Sequence, residues 1–242
     1  MGRNIILAFD LYGTLLSTAS IASRLANYVG QEKASSIAAK WRLYQLEYTW
    51  RLTSMKQYEP FSVVTRRSLK HALAETKVHL EDEAIDSLME AYDTLSAFPD
   101  VKPALESLAN VPNCTSVIFS NGTHPMVSSS IYQSQDLSPH AGLFQDIVVV
   151  EEAQKFKPAP ETYELLLEQV GKSKADMEDV WLISSNPFDI VGARAVGLKA
   201  AWVDREGNGW VDAVVEGELG GPTIVVKSLG EVVDAVRRLL TG

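Results

Sequence analysis

Ile5-Ile6-Leu7-Ala8-Phe9-Asp10-Leu11-Tyr12-Gly13-Thr14-Leu15 decides the fold of this chain. The run Ile5–Phe9 is apolar without the alternation of a half-exposed strand, so it reads as a strand covered on both faces, as in a parallel sheet. It stops on a carboxylate. At the carboxyl end of a strand in an open α/β sheet, Asp10 stands where ligands bind. Gly13 permits a sharp turn behind it, and Thr14 has a hydroxyl that can bond the carboxylate. Taken by itself, the motif also fits a strand-end aspartate that only caps a turn.

Working outward, further continuous apolar runs rich in β-branched residues fall at 116–119, 147–150, 180–183, 200–203 and 223–226. Helical patterns alternate with them at Val101–Leu108, 125–132, 160–170, 188–196 and 229–240, with Pro160 suited to the first turn of its helix. This rhythm implies right-handed crossovers and a Rossmann-like open parallel α/β sheet. The stretch 17–98 breaks the rhythm. It has almost no strand signal and at least three amphipathic helical patterns. One puts Leu43, Leu46 and Trp50 on a shared face; a second carries Val64, Leu69 and Leu73; a third carries Ile85, Leu88, Met89 and Tyr92. Pro60 and Pro99 punctuate it. The expected organisation is a catalytic core of 1–16 and 99–242 with a helical cap domain of 17–98 inserted after the first strand.

Composition narrows the class. At 242 residues, 46% hydrophobic and 22% charged, the chain has the make-up of a globular unit with room for an inserted lobe. No apolar run approaches the roughly 20 residues of a membrane helix. The N-terminal apolar run is too short for a secretory signal, and Gly2 lacks the Ser or Thr that a myristoylation site needs further on. A net charge of −9 argues against nucleic acid, while leaving room for a local positive pocket that takes a small anion. The single Cys114 excludes an intramolecular disulfide, fits a reducing, cytoplasmic setting, and reads as buried filler before an apolar strand.

Three further polar groups fall at equivalent strand ends. Ser120-Asn121-Gly122 brings a hydroxyl, an amide and accessible backbone; Lys157-Pro158 brings a cation; Ser184-Ser185-Asn186-Pro187-Phe188-Asp189 brings one carboxylate. Each is weak alone, but four in order along one sheet edge are hard to explain as turns. The order Asp-x-x-Gly-Thr, Ser-Asn-Gly, Lys-Pro, Ser-Asn-x-x-Asp resembles the haloacid dehalogenase (HAD) superfamily across the whole chain. Within it, the string from Phe9 to Leu15 and Trp41-Arg42 with Gln45-Leu46-Glu47-Tyr48-Thr49-Trp50 resemble the L-2-haloacid dehalogenase (type II) family.

The resemblance implies the HAD fold and hydrolysis of small L-2-haloacids through an ester on Asp10, with no metal or other cofactor. Residue chemistry separates this from the superfamily's phosphatases. Those place a second Asp two residues after the nucleophile to protonate a leaving alcohol; here that position is Tyr12, which is no acid near neutral pH. A halide leaves as an anion and needs no proton. Mg²⁺ wants hard oxygen ligands, and the fourth loop offers Ser185, Asn186 and Pro187 before its one Asp.

In the expected mechanism Asp10 is the nucleophile. Lys157 supplies the positive charge beside it, and Ser120 with backbone amides holds the substrate carboxylate. Asp189 is base or positioner for the hydrolytic water, helped by Thr14, Ser185 and Asn186. The resemblance assigns Arg42 to the departing halide, with Asn121 and Phe61 in the same cradle, and adds Tyr163; Leu11, Tyr12 and Phe188 complete the expected substrate-binding set. Three positions depart from the family pattern: Leu43 where Gln is common, Phe188 where Trp is common, and His124-Pro125 after Ser-Asn-Gly. Partners are then a small anionic 2-haloacid and the halide product, and a second copy of the chain, since Trp41, Tyr44, Tyr48 and Trp50 offer more aromatic surface than the cap need bury. Two alternatives stay open at this point: a phosphatase acting on a small phosphate ester, and a non-catalytic binding protein.

Overall fold

A computed structural model of the chain describes residues 4–241; the Gly2 reading and the outermost bounds of the core, 1 and 242, lie outside them. Six parallel strands form one sheet: β1 (Ile5–Phe9), β2 (Cys114–Ser120), β3 (Phe144–Val149), β4 (Val180–Ser184), β5 (Lys199–Val203) and β6 (Ile224–Val226), in the order β3-β2-β1-β4-β5-β6. β1 and β4 are buried along their whole length, as continuous apolar runs between helical layers require. β3 is longer than the apolar run 147–150 because it is an edge strand, and its Gln145 and Asp146 face water. The chain turns from one side of β1 to the other between β3 and β4, so the crevice outside the carboxyl ends of β1 and β4 is the topological switch point.

Helices α1 (Ala22–Val29), α2 (Gln31–Ser54), α3 (Phe61–Glu75) and α4 (Asp82–Tyr92) form a helical insertion between β1 and β2. Its entry and exit run side by side: Ser17 donates its N–H to Ser96 O at 2.8 Å and Phe98 donates to Leu15 O at 3.1 Å. The buried stripe of α2 is not Leu43, Leu46 and Trp50. It is Ala34, Ile37, Ala38, Trp41, Gln45 and Thr49, and Leu43 is 58% exposed. The apolar spacing misled because the buried stripe contains an amide and a hydroxyl: the Gln45 amide is met by Thr65 of α3 and Tyr92 of α4, and the Thr49 hydroxyl donates to Leu46 O within α2 itself. Trp41 is wholly enclosed, its indole N–H on Thr65 O at 2.8 Å, so it adds nothing to an exposed aromatic face.

The remaining helices α5 (Val101–Leu108), α6 (His124–Tyr132), α7 (Pro160–Gln169), α8 (Pro187–Ala195) and α9 (Leu229–Thr241) alternate with the strands. Cys114 opens β2 half-buried, its thiol pushed up to about 11 by burial. Among the described residues no helix is long and apolar enough to cross a membrane.

Candidate active site

Asp10 follows β1 directly and lies 7% exposed, its N–H on Ile183 O of β4. Its two oxygens are treated very differently. Oδ2 accepts from Thr14 Oγ1 at 2.7 Å, Asn186 Nδ2 at 2.7 Å and Ser184 Oγ at 3.2 Å. Oδ1 meets only Lys157 Nζ, at 3.3 Å. The turn behind it depends on Gly13, at φ +90°, where a Cβ would stand 3.3 Å from the Asn186 amide. That glycine lets the first and fourth loops close on one carboxylate.

Lys157 is the buried cation of the site. Its three N–H groups go to Phe119 O at 2.7 Å, Asp189 Oδ2 at 2.9 Å and Asp10 Oδ1 at 3.3 Å, and Nζ lies 3.9 Å over the Phe119 ring. Asp189, at the start of α8, also accepts from the Tyr163 hydroxyl at 2.8 Å. Burial chiefly, with the Asp10 charge adding to it and Lys157 opposing it, pushes Asp189 up to about 6. Tyr163 is held well above its ordinary value by burial and the Asp189 charge, so it stays a neutral donor. It reaches Asp189 across Gly192, where a Cβ would come within 2.3 Å of its oxygen.

The insertion supplies the opposite wall. Arg42 of α2 reaches Tyr12 O at 3.1 Å and Asn186 Oδ1 at 3.3 Å through Nη2, and Gln45 Oε1 at 2.8 Å through Nη1. Phe61, at the start of α3, stacks on the Tyr12 ring with centroids 5.8 Å apart. Asn121 accepts the Lys157 N–H on Oδ1 at 2.9 Å, which leaves its Nδ2 as the donor for an anion. Ser120 is buried, its Oγ accepting from Gly122 N at 3.0 Å. Phe188 packs edge-on against Trp50 at 5.5 Å.

Not every expected residue belongs here in the expected way. Ser185 turns its hydroxyl outward, accepting from Arg205 Nη1 at 2.9 Å, and only its backbone N–H serves the site, donating to Thr14 Oγ1 at 2.9 Å. Ser184 instead puts its hydroxyl on Asp10. Leu11 is wholly enclosed, so its side chain offers no contact surface, while its carbonyl takes the N–H groups of Thr14, Leu15 and Leu16 and builds the turn. The Tyr12 ring is packed between Phe61 and Tyr92 and its hydroxyl is held neutral by burial; its carbonyl is the part that meets Arg42 and Asn186. Sequence reading missed Ser184, Gln45 and Arg205. Register would have found the first: Phe9 pairs with Ile183, so the next residues, Asp10 and Ser184, are neighbours. Arg205 lies 4.1 Å over Phe98 and ties Asp100 at 3.0 Å and Thr14 O at 2.9 Å to the same loops.

Among the described residues, no group of three His, Cys, Asp or Glu side chains is disposed to hold a metal ion.

A family model described as haloacid dehalogenase-like hydrolase matches residues 6–197. A haloacetate dehalogenase of Moraxella sp. is 33% identical over 202 residues, 83% of this chain and 86% of that relative. An (S)-2-haloacid dehalogenase of Pseudomonas fluorescens is 34% identical over 93% of this chain and 92% of its own. The structure also superimposes, with a TM-score of 0.79 and 28% identity, on L-2-haloacid dehalogenase from Xanthobacter autotrophicus with chloropropionic acid covalently bound, covering 98% of this chain and 99% of that one.

Proposed function

The chain belongs to the haloacid dehalogenase-like hydrolases, and from that membership and the surroundings of Asp10 we propose that it hydrolyses small L-2-haloacids to 2-hydroxy acids without a metal. The observation that carries this reading is the unequal cradle of Asp10. Three donors hold Oδ2, while Oδ1 keeps one longer contact and hence lone-pair density to attack with. Oδ1 bonds to the halogen-bearing carbon, the carbon–halogen bond breaks, and the halide leaves with the electron pair. Arg42, Asn121 and Phe61 receive it; a weakly hydrated, permanently charged guanidinium suits a partly dry halide site. Ser120 and neighbouring backbone N–H groups hold the substrate carboxylate, and Phe188 borders its 2-substituent.

Water then attacks the ester carbonyl of Asp10, giving its proton to Asp189, which returns it to the departing 2-hydroxy acid oxygen. The second proton of the water is released to solvent as Asp10 returns to its carboxylate, so each turnover yields one halide and one proton. Lys157 offsets the negative charge of the two carboxylates throughout, and Tyr163 fixes Asp189. A phosphatase would need an acid two residues after Asp10. Tyr12, buried and neutral, is none.

Three attributes of the whole molecule belong to the same proposal. The cap is 17–98 and the core is 1–16 with 99–242, divided at the paired linkers; first proteolytic cuts inside α2 would contradict that division. The protein works in the cytoplasm, where Cys114 stays reduced. It forms a homodimer through the cap, where Leu43, Trp50 and Met55 are exposed; light scattering at the 26.6 kDa monomer mass would overturn this.

The test of activity is halide release from L- and D-2-chloropropionate and chloroacetate in excess chelator, beside Asp10→Asn. Release from the L isomer and chloroacetate is expected, with the variant down about 10⁴-fold or more. Turnover of phosphate esters that requires Mg²⁺, with no halide release, would overturn the reading.

A further inference from the structure

Gln45 sits in the most enclosed part of the helical insertion, 0% exposed, in a stripe otherwise made largely of apolar side chains. A buried amide is costly unless its groups are paired. Here Oε1 takes two donors, Arg42 Nη1 at 2.8 Å and the Tyr92 hydroxyl at 3.0 Å, while Nε2 donates to Thr65 Oγ1 at 2.8 Å. The identity of each amide end is determined by a neighbour. Thr65 spends its one hydroxyl hydrogen on Phe61 O, at 2.7 Å, one turn back along α3. Its oxygen can therefore only accept from Gln45, so Gln45 must present nitrogen to Thr65 and oxygen to Arg42.

The consequence reaches both cap-side residues that receive the halide. Gln45 grips Arg42 directly and, through Thr65, the backbone of Phe61. Leu43, the neighbour of Arg42 in sequence, is exposed and has no polar group to share this task. We propose that Gln45 is a positioning residue that orients the Arg42 guanidinium and ties it to Phe61, so that the halide meets a preset donor fork. This rests on the dehalogenase reading above. It acts on the step in which the carbon–halogen bond breaks, and has no part in hydrolysis of the Asp10 ester, where no halide is bound.

The test uses Gln45→Met, which keeps volume and removes both polar ends, and Thr65→Val, which lies further from the guanidinium and frees the amide to flip. Bromide affinity is measured by direct titration, and the chloro-to-bromo rate ratio and ester hydrolysis are measured in single turnovers. Gln45→Met is expected to weaken bromide binding about tenfold and to steepen the leaving-group ratio by a similar factor. Ester hydrolysis should stay within about twofold of the parent. Thr65→Val should move the same readouts in the same direction by about threefold. If Gln45→Met does not fold, Thr65→Val decides. Folded variants with parental bromide affinity and leaving-group ratio would overturn the proposal. A parent that binds bromide yet releases no halide from haloacids would sink the dehalogenase reading alone, because bromide titration still reports on Gln45. A parent that binds no bromide would sink both.

Discussion

The two walls of the site are built on different principles. On the core side, Asp10 is held by Ser184 at the end of β4 and by Thr14, Asn186 and Lys157 in the loops that follow strands of the same sheet, and Lys157 and Asp189 are 1% and 0% exposed. On the cap side, Arg42 and Phe61 come from two helices of an insertion joined to the sheet by paired linkers, and Arg42 is only half-buried. The nucleophile is thus oriented by parts that cannot shift without unpacking the sheet. The proposed halide cradle rides on an insertion tied to the sheet through its two linkers. In the proposed mechanism the covalent ester is thus carried by the sheet, and the short-lived anion is received by the insertion.

Lys157 is where breaking the core wall should cost most. Lys157→Met keeps bulk and leaves two buried carboxylates without their shared cation. Turnover should fall on the order of 10³-fold. Stability should fall by about 3 kcal/mol at pH 8, read by denaturant unfolding. The loss should shrink as pH falls toward about 6, because Asp189, no longer opposed by the Lys157 charge, takes up a proton at a higher pH than in the parent. A variant equally destabilised at pH 5 and pH 8 would show that Lys157 does not act through these charges.

Asp189 gives the next effect. Its folded value is raised to about 6 against an ordinary value of 3.8, so between those pH values the folded state holds the proton and the unfolded state has lost it. Its contribution to stability is therefore present below pH 3.8 and is lost as pH rises through about 6. Activity runs the other way, since only the ionised carboxylate can take a proton from water. Ester hydrolysis should fall about tenfold per pH unit below an apparent midpoint lower than the free enzyme's value of about 6, because the Asp10 charge that helps to raise Asp189 is absent once Asp10 is an ester. Asp189→Asn should give one equivalent of halide and stop, the ester persisting as a mass increase on Asp10. Steady turnover by that variant, or a flat profile from pH 4 to 8, would remove Asp189 from the second step.

The core wall was far more legible in the sequence than the cap wall, for a physical reason. Parallel strands buried on both faces must be continuous apolar runs, so their ends are easy to see, and polar residues at those ends stand out: Asp10, Asn121, Lys157 and Asp189 were all visible this way. Helices signal only one face, and α2 has two that matter. Its apolar spacing at Leu43, Leu46 and Trp50 marked the outer one, whereas the buried stripe runs through Gln45 and Thr49. Arg42 was accessible through family resemblance alone. Where a loop carries adjacent hydroxyls, composition cannot choose between them; strand register can.

Ser184 and Ser185 put that last point to experiment within the core wall itself. They are adjacent and chemically identical, yet the first donates to Asp10 Oδ2 at 3.2 Å and the second accepts from Arg205 at 2.9 Å. Ser184→Ala removes one of three donors from the oxygen that anchors the nucleophile, and should slow ester formation about tenfold. Ser185→Ala leaves its backbone N–H on Thr14 and should change turnover by no more than about twofold. Its cost is structural, about 1 kcal/mol or less in thermal unfolding, from an Arg205 donor returned to water. The reverse pattern, with Ser185→Ala the slower enzyme, would mean that the fourth loop closes on substrate through a different register from the one that orients Asp10 here. The catalytic hydroxyl would then be supplied by a loop that moves, and the contrast between a core wall fixed to the sheet and a cap wall carried on an insertion would fail at its firmest point.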